Sequence, residues 1–252
     1  MATRSAHLAR RLAGRVSRGD WLPVIRRMSD DDSVGLTFDD GPTPETTPTL
    51  LALLREARAG ATFFLTGVRA AAAPDLVGAI VADGHAAYAH GWEHLRYDEQ
   101  PRPRMLADLL RAEAVLQRFR PTPRPYLVRL PYAAGLAESW VHREIKAWQP
   151  EAQFAHWRYG LQDWTLADGC ATPAEVETAC DRAVARLLRW RRLPGAILLL
   201  HENPFDVDAP LKPLISSRLV ARLLPRLRER GLRASKIAPV SHHTWFRRHV
   251  RG

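Results

Sequence analysis

The sequence contains only two cysteines, Cys170 and Cys180, in 252 residues. Two thiols build no disulfide framework, and their spacing matches no metal-binding signature. We therefore expect the protein to reside in a reducing bacterial cytoplasm. No window approaches the roughly 18 unbroken apolar residues that a membrane-spanning helix needs. Residues 1–21 also lack the apolar core of a secretory signal. These absences argue against a disulfide-rich secreted protein and against an integral membrane protein.

Lysine is also scarce, so arginine supplies almost all of the formal net charge of +10. Arginine used this heavily beside abundant alanine is typical of a GC-rich genome, and nucleic acid is therefore not the expected partner. Along residues 1–18, helical spacing places Leu8, Leu12 and Val16 on one side, opposite several arginines. We predict that residues 1–28 form a basic amphipathic segment that contacts an anionic membrane surface. A helix packed on the domain or a frayed terminus is the alternative.

Residues 29–252 show short β-prone runs alternating with helix-length segments, which we interpret as one domain. The predicted strands are 34–38, 61–65, 85–89, 126–129, 153–156, 196–200 and 233–240. The predicted helices are 46–58, 74–82, 103–119, 138–148, 173–190 and 214–230. This alternation predicts an α/β protein whose parallel strands form a barrel or a strongly curled sheet. The alanine-rich run 69–74 is interpreted as a connection.

Side chains that can bind metal or move protons follow the predicted strands. In parallel β/α folds, active sites are built at the carboxyl ends of the strands. Each such residue alone has an ordinary explanation, because Asp-Gly-Pro is a good turn and a histidine pair is often solvated. Their joint occurrence in this order predicts a single site. The residues concerned are Asp39, Asp40, His90, His94, Arg129, Asp163, Trp164 and His201.

These residues lie in five motifs that resemble those of the polysaccharide deacetylase (NodB homology) family, carbohydrate esterase family 4. The motifs are TFDDGP at 37–42, HGWEH at 90–94, RLPY at 129–132, DW at 163–164 and LLLH at 198–201. The resemblance covers roughly residues 33–240. It implies an irregular (β/α)7 barrel that binds one divalent metal ion and removes N- or O-acetyl groups from amino sugars.

The resemblance assigns the metal ligands to Asp40, His90 and His94. The metal it implies is Zn²⁺, with Co²⁺, Ni²⁺ or Mn²⁺ as alternatives, and two imidazoles with one carboxylate suit such an ion. Asp39 is implied as the general base that takes a proton from the attacking water. Arg129 is implied to hold Asp39 in place through a charge-assisted hydrogen bond.

The resemblance also implies the groups that handle the acyl group and the leaving amine. The backbone N–H of Tyr132 would stabilise the oxyanion. His201 would act as general acid, and Asp163 would keep it protonated. Trp164 and Leu199 match positions that form an apolar pocket for the acyl methyl group.

The sequence departs from the family pattern at several positions around these motifs. Gly91 stands where Ser or Thr is usual, and Leu95 stands where Pro is usual. Ala133 replaces the usual Gly, and Glu202 replaces the usual Asp. Glu93 lies between the two histidines, where it would approach the metal, support a ligand or face water. None of these changes removes a predicted metal ligand, so we expect an active enzyme.

The expected substrate is a cytosolic one, because no export signal is found. The candidates are an N-acetylated or N-formylated amino sugar in an oligosaccharide or on a lipid carrier, and HGWEH is similar to a pattern in deformylases of lipid-linked aminoarabinose. The loop 202–213 is expected to line the cleft. Two alternatives are a non-haem Fe(II) oxygenase and an inactive scaffold that binds glycan, lipid or nucleic acid through its arginine-rich ends.

Overall fold

The computed structural model describes residues 21–205 and 210–240. The predicted amphipathic helix within residues 1–18 and the arginine-rich carboxyl end therefore lie outside the described residues. So do positions 206–209 of the predicted cleft loop. Within the described residues, no helix has both the length and the apolar character needed to cross a bilayer.

The chain alternates strands and helices over its whole described length. The strands are β1 Val24–Ile25, β2 Ser33–Asp39, β3 Thr62–Leu65, β4 Ala86–Ala89, β5 Leu127–Val128, β6 Gln153–Ala155, β7 Tyr159–Gly160, β8 Ile197–His201 and β9 Arg233–Ser235. The helices are α1 Thr47–Glu56, α2 Gly67–Ala72, α3 Pro74–Ala82, α4 Arg102–Leu116, α5 Ser139–Trp148, α6 Pro173–Leu188 and α7 Ile215–Glu229.

All the strand pairs are parallel, and the strands form two sheets. The larger sheet has the order β4-β3-β2-β8-β7, with β9 also paired to β2, and the smaller has the order β1-β6-β5. Parallel strands joined through helices are the arrangement that the alternation predicts. The prediction of an α/β fold is confirmed; in the described residues the hydrogen-bonded ladder of the irregular barrel is divided between these two sheets.

The central strand β2 is buried along its whole length, which matches its almost continuous apolar sequence. Its Phe38 stacks on Phe63 of β3, with ring centroids 5.1 Å apart. Helices cover this sheet with amphipathic faces. Helix α6, for example, begins with a capping box in which Thr172 and Glu175 satisfy each other's backbone N–H groups. The polar carboxyl ends of the strands are therefore where a site for chemistry is expected.

Three elements differ from the sequence prediction. The run 69–74 is not a connection, because residues 67–72 form helix α2. The two-residue strands β1 and β7 were not predicted. Strand β1 lies inside the segment 1–28 that the sequence sets apart, and it pairs with β6. Leu22, Ile25 and Met28 also belong to the hydrophobic core, so residues 21–28 pack with the domain.

Candidate metal centre and active site

The carboxyl end of β2 brings the two adjacent aspartates to the centre of the sheet edge. Asp39 is in register with Phe64 of β3 on one side and with His201 of β8 on the other. The chain turns immediately afterwards, since Asp40 has a φ of +76°. Both carboxylates are buried. Two buried carboxylates at a strand end need cationic or hydrogen-bonding partners, since burial of an unpaired charge is costly.

Asp40, His90 and His94 offer ligand atoms that all lie within 4.8 Å of one another. The Oδ1 atom of Asp40 is 3.7 Å from His90 Nε2 and 3.3 Å from His94 Nε2. This buried oxygen has no hydrogen-bond partner among the described residues. A buried carboxylate oxygen facing two imidazole nitrogens is a donor set that suits a divalent ion such as Zn²⁺. The three residues therefore fit the metal that the family implies.

The hydrogen bond of His90 prepares its other ring nitrogen for a metal. His90 Nδ1 lies 2.9 Å from the carbonyl oxygen of Arg129, so the Nδ1–H donates to that carbonyl and Nε2 carries the lone pair. Burial lowers the pKa of His90 below its ordinary value, although Asp39 and Asp40 oppose this shift. His90 is therefore a neutral imidazole, which is the form that binds metals.

Arg129 fixes the other aspartate of the pair, Asp39. Its Nη1 donates to Asp39 Oδ1 at 2.7 Å and to Thr37 Oγ1 at 2.7 Å, and its Nε donates to the Ala155 carbonyl at 3.0 Å. The guanidinium lies 4.2 Å from the ring centroid of Phe64. These contacts leave Asp39 Oδ2 on the side of His90 Nε2, at 3.8 Å. One oxygen of Asp39 is thus anchored while the other faces His90, one of the candidate metal ligands.

His201, Asp163 and Trp164 form the opposite side of the site. Asp163 Oδ1 lies 3.0 Å from His201 Nδ1, and Asp163 Oδ2 accepts from the His201 backbone N–H at 2.6 Å. Burial alone would lower the pKa of His201, but the carboxylate of Asp163, helped by Asp40 and Asp39, raises it to about 9. His201 is therefore an imidazolium at neutral pH. The ring of Trp164 packs edge-on against it, at 5.2 Å.

Tyr132 borders the same space, and Leu199 lies in strand β8 close before His201. Leu199 is buried in β8 but does not belong to the hydrophobic core cluster. Tyr132 has a φ of +57°, and its side chain is 43% exposed with the ring 4.5 Å from that of His94. The following residue, Ala133, also has a positive φ of +55°, which explains why glycine is usual there. The predicted site residues other than Leu199 thus lie at or beside one edge of the strands, and Leu199 is in the middle of β8.

The structure accounts for the departure at Gly91. Gly91 has a φ of +85°, and a Cβ there would overlap the Tyr97 hydroxyl and lie 3.1 Å from two carbons of that ring. Tyr97 is fully buried, and its hydroxyl donates to Asp108 Oδ2 at 3.2 Å. The tyrosine therefore fills the space beside the loop between the metal ligands where the family usually has a hydroxyl side chain.

The two acidic departures have different surroundings. Glu93 is half exposed and pairs with Arg104 at 3.0 Å, so its carboxylate is held at the surface by that arginine. Glu202 is fully buried, and its carboxylate accepts a hydrogen bond from the Thr47 hydroxyl. Burial raises the pKa of Glu202 to about 8, which leaves it protonated at neutral pH.

Sequence reasoning missed three residues that contact the site: Arg69, Tyr97 and Phe205. Phe205 stacks on His94, with ring centroids 5.4 Å apart and an angle of 1° between the rings. Arg69 also packs on Phe205, with its Cζ atom 3.7 Å from the ring centroid. None of them lies in a predicted motif. Phe205 does belong to the loop that was expected to line the cleft, whereas Arg69 had no such signal in the sequence.

Comparisons with known proteins point to one family. Residues 26–149 match the family model described as polysaccharide deacetylase. A chitooligosaccharide deacetylase from a Bradyrhizobium strain is 32% identical, over 84% of this chain and 94% of its own length. A peptidoglycan-N-acetylglucosamine deacetylase from Bacillus cereus is 28% identical, over 81% of this chain and 86% of its own.

A solved structure agrees with the sequence relatives. A family 4 carbohydrate esterase from Streptomyces lividans, in complex with acetate, superposes with a TM-score of 0.64 at 26% identity. The match covers 84% of this chain and 95% of the esterase. The family that the five motifs indicated is therefore confirmed, and the chain belongs to the polysaccharide deacetylase family.

Proposed function

We propose that the chain is a metal-dependent hydrolase that removes an N-acyl group, acetyl or formyl, from an amino sugar. The observation that carries the proposal is the arrangement of Asp40, His90 and His94, whose ligand atoms lie within 4.8 Å of one another. This cluster stands beside the anchored Asp39 and the charged His201. Relatives that are named carbohydrate deacetylases support the same reaction class.

Asp40, His90 and His94 would hold one divalent ion, for which we propose Zn²⁺. Such an ion, when bound, acts as a Lewis acid that polarises a carbonyl group and acidifies water. The neutral imidazole of His90 and the unpaired oxygen of Asp40 suit this role. The remaining chemistry falls to side chains of the chain itself.

Asp39 is the proposed general base. Its Oδ1 is held by Arg129, and its Oδ2 lies on the side of the proposed metal ligand His90. Attack on the amide joins the oxygen of water to the carbonyl carbon, and Asp39 takes the proton that this oxygen gives up. The negative charge that develops on the carbonyl oxygen needs a donor, and the backbone N–H of Tyr132 is proposed for it.

His201 is the proposed general acid. When the C–N bond breaks, the leaving nitrogen of the sugar needs a proton, and the Nε2–H of the imidazolium supplies it. Asp163 keeps His201 charged and fixes its ring through Nδ1. Trp164 and Leu199 are proposed to enclose the acyl methyl group. The products are a free amino sugar and acetate or formate.

The proposed substrate is an N-acetylated chitooligosaccharide or a related amino sugar, inside a bacterial cell. The names of the relatives support N-acetylglucosamine polymers, since they include chitooligosaccharide and peptidoglycan deacetylases. A lipid-linked amino sugar is the second candidate substrate. Peripheral membrane contact through residues 1–28 belongs to that second candidate and stays a prediction.

A substrate panel tests the proposal. Purified protein loaded with Zn²⁺ is incubated with N-acetylchitooligosaccharides, peptidoglycan fragments and N-formylated amino sugars, and acetate and formate release is measured. We expect release from at least one class, and loss of about a thousandfold or more of that activity in Asp39→Asn, because the general base and its charge are removed. No release from any class by metal-loaded protein would contradict the proposal and favour a scaffold that only binds glycans.

A further inference from the structure

Helix α2 touches the loop that carries the metal-binding histidines. The Gly67 N–H donates to the Gly91 carbonyl at 2.9 Å, and the Val68 N–H donates to the Trp92 carbonyl at 3.0 Å. Gly91 and Trp92 lie between His90 and His94 in the sequence. The first turn of this short helix therefore holds the backbone that separates the two imidazoles.

Arg69, on the same helix, connects the two strand-end loops on either side of the site. Its Nη1 donates to the carbonyl of Asp40 at 2.9 Å, to that of Glu202 at 3.2 Å and to that of Asn203 at 2.8 Å. Asp40 is a proposed metal ligand, and Glu202 directly follows His201. One guanidinium thus fastens the metal-binding turn after β2 to the loop after β8.

The flat face of the same guanidinium supports a metal ligand through an aromatic ring. The Arg69 Cζ atom lies 3.7 Å from the ring centroid of Phe205, which is the distance of a close cation–π contact. The Phe205 ring also stacks with His94, with the ring centroids 5.4 Å apart and the two rings 1° from parallel. Arg69, Phe205 and His94 therefore form a continuous stack that ends at the metal centre.

We infer that Arg69 is a positioning residue that fixes Asp40 and His94, and with them the metal, relative to His201. The inference rests on the proposed function, because it concerns the same metal centre. Partners that orient metal ligands without touching the ion commonly change metal affinity or activity about 10- to 100-fold when they are removed. An arginine that contacts Asp40 through its carbonyl and His94 through an intervening ring is such a partner.

The sign of the effect separates this role from a purely electrostatic one. A guanidinium near the site repels a divalent cation, so removal of its charge alone would strengthen metal binding. Loss of ligand positioning would weaken it instead. A third possibility, in which Arg69 only staples the helix to the loops, would lower the stability of the fold without changing the metal affinity of the folded protein.

The test compares Arg69→Met, Arg69→Lys and Phe205→Leu with the wild-type protein and with Arg55→Met as matched control. Arg55 lies on the neighbouring helix α1 and pairs with Asp83 at the surface, at 2.8 Å. The affinity of each chelated protein for Zn²⁺ is measured by competition with a chelating dye. The visible spectrum of the Co²⁺-loaded protein reports the ligand geometry, and thermal unfolding reports the fold.

We expect Arg69→Met to bind Zn²⁺ about tenfold more weakly than wild type, with an altered Co²⁺ spectrum. Phe205→Leu is expected to weaken binding in the same direction, since the stacking face on His94 is lost. Arg69→Lys retains the charge but not the planar fork, so we expect it to recover only part of the affinity. The control is expected to match wild type.

Activity provides an independent readout. For substrates that the wild type turns over, kcat is expected to fall about tenfold in Arg69→Met with KM changed less than about twofold. Folded Arg69→Met that binds Zn²⁺ as tightly as wild type, or more tightly, would overturn the inference. A wild-type protein that binds Zn²⁺ but releases no acyl group would instead overturn the proposed function, and the affinity comparison would still decide the role of Arg69.

Discussion

Replacement of Asp163 by asparagine is expected to move the pH dependence of turnover. Asp163 Oδ1 lies 3.0 Å from His201 Nδ1, and Oδ2 accepts from the His201 backbone N–H. Asparagine has the same shape and keeps a carbonyl oxygen that accepts from Nδ1–H, but it has no charge. Burial, which opposes the charged imidazolium, then outweighs the remaining attractions, and the pKa of His201 falls.

The size of the shift follows from the structure. The pKa of His201 is about 9 in the wild-type fold, against an ordinary value of 6.5. A fall to the ordinary value of 6.5 would reduce the imidazolium fraction at pH 8 from about 0.9 to about 0.03, which lowers kcat about thirtyfold. At pH 5.5 His201 would be about nine-tenths protonated or more in both proteins, and their kcat values would converge. A bound cation lowers the pKa of His201 in the wild type and in the variant alike. The predicted quantity is therefore the difference between the two pKa values of His201.

The assay is the pH–kcat profile of the metal-loaded wild type and Asp163→Asn, measured between about pH 5 and 10 on the same substrate. The alkaline limb of the variant is expected to lie at least two units below that of the wild type. An alkaline limb that stays in place, or a loss of activity that is equal at all pH values, would refute the assignment of His201 as an acid held in its charged form by Asp163.

Three further predictions concern stability. Gly91→Ala is expected to lower the free energy of unfolding in urea by about 3 kcal/mol, because Gly91 has a φ of +85° and a Cβ there would overlap Tyr97. Gly84→Ala is the control, because Gly84 has a φ of +80° but lies in open space, and it should cost only about 1 kcal/mol. Equal costs would contradict the overlap. Ala133→Gly is expected to stabilise the protein by about 1 kcal/mol, since its φ is +55°, and an unchanged Tm would count against that strain. Glu202 has an ordinary pKa of 4.5 and a pKa of about 8 in the fold, so the folded state binds more protons between these values and the metal-free protein should lose stability as pH rises through that range. Glu202→Gln should lack this loss, and an identical slope in both proteins would be evidence against a buried protonated acid.

Some elements were predicted correctly because the pattern of apolar and polar residues within the element itself indicates the structure. Strand β2 is an almost continuous apolar run that leads into two adjacent aspartates, and the run alone predicts a buried strand of a parallel sheet. Because parallel strands end at one edge, the meeting of Asp39 and His201 also followed from the sequence. The register of β2 with β8 places these two residues directly side by side.

The elements that were missed depend on contacts between distant parts of the chain. Helix α2 has six residues, too few to form alone, and its first N–H groups donate to carbonyls of the loop at 91–92. Strands β1 and β7 have two residues each, which no periodicity can reveal. Such short pairings exist because the rest of the fold holds their partners in place.

The site residues that were missed share the same cause. Arg69 donates to backbone carbonyls, one of them 133 positions away. Every residue has a backbone carbonyl, so the sequence gives no sign of which one is bound. The departure at Gly91 was visible as a lost hydroxyl, but its explanation required the position of the Tyr97 ring. The motifs therefore predicted the proposed catalytic groups and their direct partners Arg129 and Asp163, whereas the contacts of Arg69 and Tyr97 became evident only in three dimensions.

The most direct test of the account is a zinc titration of the chelated wild-type protein, in which bound metal and acyl release are measured in the same samples. If Asp40, His90 and His94 hold the catalytic ion, both signals should rise together and saturate at one ion per chain, and His90→Gln should show neither. Acyl release that is independent of bound metal, or tight metal binding that survives in His90→Gln, would contradict the account.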